Sequence, residues 1–200
     1  FHHVSTDEVY GEAKENESFT EETPYDPRNP YSATKAASDF LVRAYVNTHG
    51  IKATISNCSN NFGPHQHEEK FIPTIIRKLL NDEKVPVYGE GTNIRDWIYV
   101  TDHCEAIWEV LTKGKIGETY LVGANCEKSN LTIVMNICAA LDKNFSSSVE
   151  FVEDRAGHDY RYSIDPSKIQ KELNWKSKTP FNEGLFNTLK YYSEKLNYKV

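Results

Sequence analysis

The feature that most constrains this chain is the segment Pro30–Lys35, with the sequence PYSATK, which places a tyrosine and a lysine four positions apart. Apolar residues recur from Tyr31 to Tyr45 at the spacing of one helical face, so Tyr31 and Lys35 share a face of a predicted helix. Pro30 suits the first turn of that helix and Gly50 suits its end. The pair therefore lies near the positive end of the helix dipole, where a neighbouring cation favours an ionised phenol. The alternative to a catalytic pair is an exposed tyrosine beside a solvent-exposed lysine.

A predicted strand that ends in polar residues supports a catalytic interpretation of this helix. Residues 1–6 are expected to form a strand of a buried parallel sheet, and its polar end delivers the Thr6 hydroxyl and the carboxylates of Asp7 and Glu8. Adjacent residues of a regular strand point to opposite faces, but at an irregular strand end both carboxylates can reach one small ligand. Two solvated acids on a loop are the alternative.

With these residues the chain resembles the extended short-chain dehydrogenase/reductase family. Within that family, the runs Ser5–Gly11 (STDEVYG) and Asn29–Lys35 (NPYSATK) are similar to the dTDP-glucose 4,6-dehydratases, and the similarity extends over the whole chain. The resemblance implies an α/β fold, with a Rossmann-like parallel sheet whose amino-terminal half is missing and a smaller α/β domain that binds a nucleotide sugar. It assigns residues 1–64 to the NAD-binding Rossmann part and residues 65–200 mainly to the substrate domain. Residues 92–125 are expected to pack back on the Rossmann part.

The resemblance implies NAD as cofactor and a hydro-lyase reaction that converts dTDP-glucose to dTDP-4-keto-6-deoxyglucose. In that reaction Tyr31 takes the 4-hydroxyl proton while hydride passes from C4 to NAD, Thr6 bonds the same oxygen, and Lys35 holds Tyr31 and the ribose. Lys35 and the bound nicotinamide cation are expected to lower the pKa of Tyr31. Glu8 then removes the C5 proton and Asp7 protonates the departing hydroxyl, before hydride returns to C6. Dehydration needs two carboxyl groups in different protonation states, which simple 4-epimerisation does not, so this acid pair favours a dehydratase.

Two asparagines follow a predicted strand at residues 51–56 and are candidate ligand contacts. The amides of Asn60 and Asn61 suit a sugar hydroxyl and a carboxamide or ribose, and both residues also suit a turn. By resemblance Asn60 binds the substrate, whereas Asn61 binds NAD together with Tyr31 and Lys35.

Arg95 is a candidate for binding the diphosphate, because a guanidinium can hold it through two parallel hydrogen bonds. An ion pair with Asp96 or Asp102 is the alternative. Thr101 or Asp102 is also predicted to cap a helix that runs through Leu111.

Further substrate contacts are expected from the resemblance alone. They are Thr6, Lys70, Phe71, Pro86, Val87, Tyr88, Asn130, Asp154, Arg155 and His158. A stacked base would suit Tyr88, although a core position is equally consistent with the local pattern, and Asn130 is also compatible with a helix cap. Ala156 stands where the family has proline, which is expected to loosen the loop without removing a ligand group.

Composition disfavours several classes of function. The net charge of -6, from 23 basic and 29 acidic residues, disfavours nucleic acid and anionic membranes as partners. The chain has no apolar run near 18 residues. Its four cysteines show no Cys-x-x-Cys spacing, so reduced thiols and a cytoplasmic location are expected. His65 and His67 lack a partner cluster with ligand spacing, so a polar loop is expected there and no metal site.

The chain begins inside a predicted strand, which we interpret as the carboxy-terminal portion of a larger protein with a glycine-rich fingerprint before Phe1. That protein is expected to be a homodimer that binds a nucleotide-diphosphate sugar. The polar run from Glu12 to Asn29 is expected to arch over the site as a surface loop that cannot pack as core. Other functions left open are a UDP-glucose 4,6-dehydratase, a UDP-glucuronate decarboxylase and a non-catalytic relative that binds sugar nucleotides.

Overall fold

A computed structural model describes residues 1–196, which form an α/β fold of eight strands and seven α-helices. The strands are β1 His2–Thr6, β2 Thr54–Cys58, β3 Asn60–Phe62, β4 Val85–Tyr88, β5 Ile94–Tyr99, β6 Thr119–Val122, β7 Glu127–Ser129 and β8 Val149–Val152. The helices are α1 Pro30–His49, α2 Phe71–Leu80, α3 Val100–Lys113, α4 Asn130–Ala140, α5 Phe145–Ser148, α6 Ser167–Leu173 and α7 Phe181–Lys195. The predicted α/β class is confirmed.

Three small sheets organise these elements. β1, β2 and β6 form a parallel sheet in that order, β5 lies between a parallel β3 and an antiparallel β7, and β4 pairs in parallel with β8. In the first sheet Thr6 lies opposite Cys58, and Cys58 lies opposite Val122. The carboxyl ends of β1, β2 and β6 therefore meet at one edge, and the polar residues that follow them share one crevice.

α1 begins and ends where its sequence predicts. Asn29 caps the first turn, because its side chain accepts the Ser32 main-chain N–H at 2.8 Å and the Ser32 hydroxyl accepts the Asn29 N–H at 3.2 Å. Pro30 occupies the first helical position, and Gly50 ends the helix at a φ of 64° that glycine adopts without strain. Tyr31 therefore stands in the first turn of a well-capped helix.

A buried carboxylate ties α1 to the first sheet. Asp39 is fully buried and accepts hydrogen bonds from the Tyr25 hydroxyl at 2.8 Å, from His3 Nε2 at 2.9 Å and from Asn57 Nδ2 at 3.1 Å. The Asn57 amide also donates to the Thr6 main-chain oxygen at 3.0 Å. Because buried polar groups are stable only when bonded, this network holds the end of β1 in a fixed relation to α1.

The polar run 12–29 contributes to the core, and the prediction that it cannot do so is wrong. Ala13 and Phe19 are buried, and the Phe19 ring stacks on Tyr10 with centroids 5.2 Å apart. Main-chain hydrogen bonds join the run to residues 161–165, with N···O distances of 2.8 Å for both bonds of Phe19 and 2.9 Å for the Ala13 N–H. The run can bury two apolar side chains because the main-chain polar groups beside them are hydrogen-bonded to residues 161–165.

The predicted cap of α3 is also wrong. Strand β5 passes directly into α3, so Tyr99 occupies the cap position and neither Thr101 nor Asp102 does. Asp102 accepts the main-chain N–H groups of Lys178 at 2.9 Å and Thr179 at 2.8 Å. Its carboxylate thus fastens α3 to the segment that precedes α7.

The main hydrophobic cluster packs β3, β4 and β5 against α2, α4 and α7. Its buried members include Phe62, Ile76, Tyr99, Ile137 and Leu189. No helix within residues 1–196 is long and apolar enough to cross a membrane. Over the same residues, no three His, Cys, Asp or Glu side chains come together in a way that could hold a metal ion.

Candidate active site

β1 passes directly into a 3₁₀ turn, Asp7–Tyr10, that carries the two predicted acids. The Thr6 hydroxyl accepts the Glu8 main-chain N–H at 3.3 Å and donates to Asp7 Oδ1 at 3.3 Å. Because the turn interrupts the strand, Asp7 and Glu8 are released from the alternation that would send them to opposite faces. The Asp7 side chain is buried, whereas Glu8 is half-buried and lines a cavity.

The Asp7 carboxyl group lies in surroundings that favour its neutral form. Burial raises its pKa from 3.8 to about 8, the carboxylates of Glu8 and Asp96 add to the rise, and Arg95 opposes it. Its second oxygen, Oδ2, is buried and has no hydrogen-bond partner within residues 1–196. A carboxyl group that keeps its proton at neutral pH is suited to donate it.

Tyr31 and Lys35 lie at the start of α1, as predicted, but the local charges act differently from the prediction. Burial raises the pKa of Tyr31, Glu8 raises it further, and the nearby Thr6 hydroxyl opposes the rise. The Lys35 ammonium group donates to the Val4 main-chain oxygen at 2.8 Å. The described residues therefore disfavour the phenolate form of Tyr31, and Lys35 alone does not lower its pKa as expected. Ionisation of Tyr31 at neutral pH needs a further positive charge beside the ring.

A cavity of about 360 Å³ opens beside these residues, within the size range of small-molecule sites. It is lined by Glu8, Asn29, Tyr31, Asn60, Arg95, Arg155, Ala156, Gly157, His158, Asp159 and Tyr162. Segments from the end of β1, the start of α1, the start of β3, β5 and the region after β8 thus converge on one space. Most of the lining is polar, which suits a ligand rich in hydroxyl and phosphate groups.

Arg95 is held by main-chain oxygens. Its guanidinium donates to the carbonyls of Asp159 at 2.8 Å and Tyr160 at 3.1 Å, and it lies 4.2 Å from the centroid of the Tyr162 ring. Asp96 instead accepts two main-chain N–H groups, from Ala124 and Cys126. Within the described residues, Arg95 therefore does not form the alternative ion pair with Asp96 or Asp102.

The loop after β8 places a second guanidinium at the cavity. Arg155 lies 5.1 Å from the centroid of the Tyr88 ring and 3.0 Å from His158 Nε2. His158 Nδ1 is hydrogen-bonded at 2.7 Å to Asp154, which lowers the pKa of that carboxyl. Gly157 has a φ of 68°, so glycine is favoured at this bend. The predicted group of Tyr88, Asp154, Arg155 and His158 is thus assembled in space.

The other predicted substrate contacts lie around α2, β4 and α4. Lys70 is exposed immediately before α2, and the Phe71 ring stacks on Trp97 with centroids 6.2 Å apart. Pro86 is half-buried and the Val87 side chain is buried in the core, so Val87 can meet a ligand only through its main chain. Asn130 is the first residue of α4, which begins after the cap Ser129.

Sequence reasoning missed three residues of the cavity wall. Asp159 accepts hydrogen bonds from the Tyr162 hydroxyl at 2.6 Å and from the Arg28 guanidinium at 3.3 Å. Asn29 caps α1 and points its amide nitrogen at Glu8 Oε2, 3.5 Å away. The position of Asn29 before a proline that starts a helix could have identified it as the cap of α1. The local sequence around Asp159 and Tyr162 gave no comparable signal.

A larger groove of about 830 Å³ lies between α3 and α6. It is lined by residues such as Trp108, Leu173 and Trp175, and by none of the predicted site residues. We base the candidate active site on the smaller cavity, because the buried acid and the Tyr31 helix adjoin it.

The profile of the family described as GDP-mannose 4,6 dehydratase matches residues 1–188. The chain belongs to this family. Among curated relatives of this family member, the dTDP-glucose 4,6-dehydratase of Mycolicibacterium smegmatis is 54% identical in an alignment of 194 positions that covers 96% of this chain and 58% of that protein. The chain therefore spans less than two thirds of the length of the relatives it matches.

Solved structures agree with this family membership. DesIV, a dTDP-glucose 4,6-dehydratase from Streptomyces venezuelae solved with NAD and TYD bound, is 43% identical with a TM-score of 0.95, over 98% of this chain and 60% of that chain. A UDP-glucuronic acid 4-epimerase from Bacillus cereus, solved with UDP-glucuronic acid and NAD, is 25% identical with a TM-score of 0.91, over 98% and 62% of the two chains. The predicted Rossmann-like relationship of this dehydratase-family chain is thus confirmed.

Proposed function

We propose that this chain forms the carboxy-terminal part of an NAD-dependent nucleotide-sugar 4,6-dehydratase that acts on dTDP-glucose. The product is dTDP-4-keto-6-deoxyglucose, formed by oxidation at C4, loss of water between C5 and C6, and reduction at C6. The observation that carries this proposal is the buried Asp7 carboxyl group, whose Oδ2 has no hydrogen-bond partner within residues 1–196, directly before Glu8, which lines the cavity. Its burial raises its pKa. An enzyme that only oxidises and reduces C4 has no use for a buried acid of this kind. The names of the relatives support the same substrate.

The first proton transfer is assigned to Tyr31, which lies on the cavity wall next to the Thr6 hydroxyl. Lys35 uses one of its three N–H groups on Val4, so the others are available to a ribose hydroxyl. These donors fit a dinucleotide held along the end of β1, and Asn61 remains a proposed NAD contact on the strength of the family resemblance. Bound NAD supplies the hydride acceptor at C4, the donor at C6 and the positive charge that the Tyr31 phenol lacks.

Elimination of water is assigned to the two acids. Glu8 takes the C5 proton, which a C4 ketone makes acidic, and its exposure to the cavity suits that role. Asp7 gives its proton to the departing hydroxyl, because its burial keeps it protonated at neutral pH. The two carboxyl groups are adjacent in sequence but differ in environment, and that difference supports the division of labour.

The nucleotide diphosphate is assigned to the rim of the cavity. Arg155 presents positive charge and N–H groups there, His158 orients its guanidinium by accepting one hydrogen bond through Nε2, and the Tyr88 ring beside Arg155 offers a face for the base. Asn60 contributes amide groups for the sugar. Arg95 supports the same wall by holding the main chain of residues 159 and 160, and its remaining N–H groups suit a phosphate oxygen. Lys70, Phe71, Pro86, Val87, Asn130 and Asp154 remain proposed contacts on the strength of the family resemblance.

The proposal includes the organisation of the whole protein. We assign residues 1–64 to the NAD-binding part and 65–200 mainly to the substrate part, and the position of β6 beside β2 supports the packing of residues 92–125 on the former. Exposed apolar side chains on the outer face of α1, such as Leu41 and Tyr45, support a homodimer formed through this helix. The absence of disulfides among the four cysteines supports a reducing, cytoplasmic setting.

Product analysis of the full-length protein tests this function. The protein is incubated with NAD and, separately, with dTDP-glucose, UDP-glucose and UDP-glucuronate, and the products are measured by mass spectrometry. We expect loss of one water from dTDP-glucose, with faster turnover than for UDP-glucose. Faster turnover of UDP-glucose would show that the preferred nucleotide base is uracil rather than thymine. Loss of carbon dioxide from UDP-glucuronate would replace the dehydratase assignment by a decarboxylase. Light scattering at micromolar concentration tests the dimer, which a monomeric mass would contradict.

A further inference from the structure

A buried histidine that the proposed chemistry does not use lies directly behind the candidate active site. His103 is on α3, is 6% exposed, and its Nδ1 lies 2.8 Å from the side-chain oxygen of Asn61. Asn61 stands next to Asn60, which lines the cavity. A buried imidazole that contacts the neighbour of a pocket residue is a candidate for controlling the shape of that pocket.

The orientation of the Asn61 amide follows from its other partners. Its Nδ2 lies 3.0 Å from the Ser59 main-chain oxygen and 3.4 Å from Cys58 Sγ. A carbonyl oxygen can only accept, so the atom facing Ser59 is the amide nitrogen. The atom facing His103 is then the amide oxygen, which also only accepts. His103 must therefore donate from Nδ1, and this fixes its tautomer.

The other ring nitrogen of His103 carries no proton in this arrangement. Burial, with a smaller contribution from His2, lowers the pKa of His103 to about 4, so the ring is neutral at physiological pH. Nε2 is buried and has no hydrogen-bond partner within residues 1–196. The imidazole thus makes its one identified hydrogen bond through Nδ1.

The Asn61 amide bridges both ends of the turn between β2 and β3. Through Nδ2 it bonds Cys58, the last residue of β2, and the main chain of Ser59. The Cys58 thiol in turn donates to the Ser5 main-chain oxygen at 3.4 Å, one residue before Thr6. An amide rotated by half a turn would place oxygen against the Ser59 carbonyl and lose these bonds.

We propose that His103 is a positioning residue that holds the Asn61 amide in one orientation and thereby fixes the turn that presents Asn60 to the substrate. The role rests on the proposed function, because it is the nucleotide-sugar site that the turn completes. His103 is not among the residues that line the cavity, and its identified hydrogen bond within residues 1–196 is to Asn61, so we assign its effect to Asn61. A rigid ring on a helix suits this task, since it donates one hydrogen bond without carrying charge into the core.

Two substitutions in the full-length protein separate hydrogen bonding from packing. His103→Leu fills the space but donates no hydrogen bond, whereas His103→Asn places an amide N–H near the position of Nδ1. We expect His103→Leu to weaken dTDP binding, measured by calorimetry, and to raise the KM for dTDP-glucose, each by about tenfold. His103→Asn should recover most of both. His2→Leu is the matched control, because His2 is a neighbouring half-buried histidine bonded to Thr54 and Ser56, outside the proposed site.

A double-mutant cycle tests whether His103 acts through Asn61. If it does, Asn61→Ala should remove most of the additional effect of His103→Leu on dTDP binding, because the orientation of an absent amide cannot matter. Additive losses would contradict the proposal. Equal binding in wild type, His103→Leu and His103→Asn would contradict it as well, as would equal losses in both variants.

The tautomer gives a readout that does not depend on turnover. Long-range ¹H–¹⁵N correlation spectra should show His103 protonated at Nδ1 and not at Nε2 near neutral pH. An Nε2-protonated ring or an imidazolium would overturn the inference. A wild-type protein that lacks dehydratase activity but shows this tautomer and the calorimetric pattern would reject the proposed reaction and retain the role of His103.

Discussion

Two buried aspartates of this protein show how residue environment sets protonation. Burial raises the pKa of both carboxyl groups, yet the pKa of Asp102 is lowered overall because the Ser177 hydroxyl and the main-chain N–H groups of Thr179 and Lys178 donate to it. Among the described residues Asp7 receives a hydrogen bond from the Thr6 hydroxyl alone, and its pKa rises to about 8. At Asp102 these donors outweigh burial, whereas at Asp7 burial and the neighbouring carboxylates of Glu8 and Asp96 outweigh the Thr6 hydroxyl.

Removing the acid without changing its shape should separate oxidation from elimination. In the full-length protein, Asp7→Asn keeps the size of the side chain but removes the proton donor for the leaving hydroxyl. We expect product formation to fall by roughly 10² to 10⁴, the range for a lost general acid, while C4 oxidation continues. Enzyme-bound NADH should accumulate in rapid-quench experiments, and the C5 hydrogen should still exchange with solvent deuterium.

Tyr31→Phe is the comparison for this experiment. It removes the group assigned to the 4-hydroxyl proton, so neither NADH nor exchange at C5 should appear. If Asp7→Asn instead lost C4 oxidation and water elimination equally, the two acids would not divide the chemistry as proposed.

The same neutral acid predicts an unusual dependence of stability on pH. Asp7 binds its proton more tightly in the folded protein than in the unfolded chain, so its contribution to stability is complete below about pH 3.8 and is lost as the pH rises through about 8. Asp7→Asn needs no proton to stay neutral. Thermal unfolding should therefore show the variant to be more stable than wild type at pH 8 and similar to it at pH 4. An equal gain at both pH values would assign the effect to packing rather than to ionisation.

At the scale of elements, the start of α1 couples helix stability to the site. Asn29 caps the helix through its side-chain oxygen and points its amide nitrogen at Glu8. Asn29→Ala should lower the free energy of unfolding by about 1 kcal/mol, because the cap is lost. Asn29→Asp keeps a cap acceptor but brings a carboxylate towards Glu8. We expect denaturation by urea to show near-normal stability for Asn29→Asp together with reduced turnover, and comparable turnover in both variants and wild type would argue against the contact with Glu8.

Local signals were sufficient to predict the elements that carry the proposed catalytic residues. The apolar spacing after Tyr31, a proline at the start and a glycine at the end predicted α1, and these signals lie within the helix itself. The irregular end of β1, where Asp7 and Glu8 lie, was predicted from the polar residues that follow the strand, although the 3₁₀ turn itself was not. Asp159 and Tyr162 could not be predicted, because they reach the cavity through contacts such as that between Asp159 and Arg28, more than a hundred residues apart. The buried position of Phe19 was not predicted for the same reason, because its partners lie in residues 161–165.

At the scale of the whole molecule, the first sheet presents an incomplete edge. Within residues 1–196, β1 pairs with β2 on one side and with no strand on the other. We predict that the 200-residue chain alone does not turn over dTDP-glucose in the presence of NAD, because the adenine and pyrophosphate of the dinucleotide need a first βα turn beyond that edge. The full-length protein assayed in parallel is the control. Turnover by the 200-residue chain would place the whole NAD site within it.

The hydrogen bonds and packing between residues 12–29 and residues 161–165 limit how ligands can enter and leave the cavity. Three main-chain hydrogen bonds and the buried Phe19 ring join these segments on the side of the cavity where α1 begins. Opening the cavity by swinging its two walls apart would break all of them at once. The short bend at residues 155–157 lines the cavity and makes no main-chain hydrogen bond to residues 12–29 within the described part of the chain. It can therefore move at smaller cost, although Asp159, which follows it, is held by Arg28. Exchange of substrate and product is therefore expected to depend on the motion of a few residues at the rim, and its rate to respond to the residue at position 156.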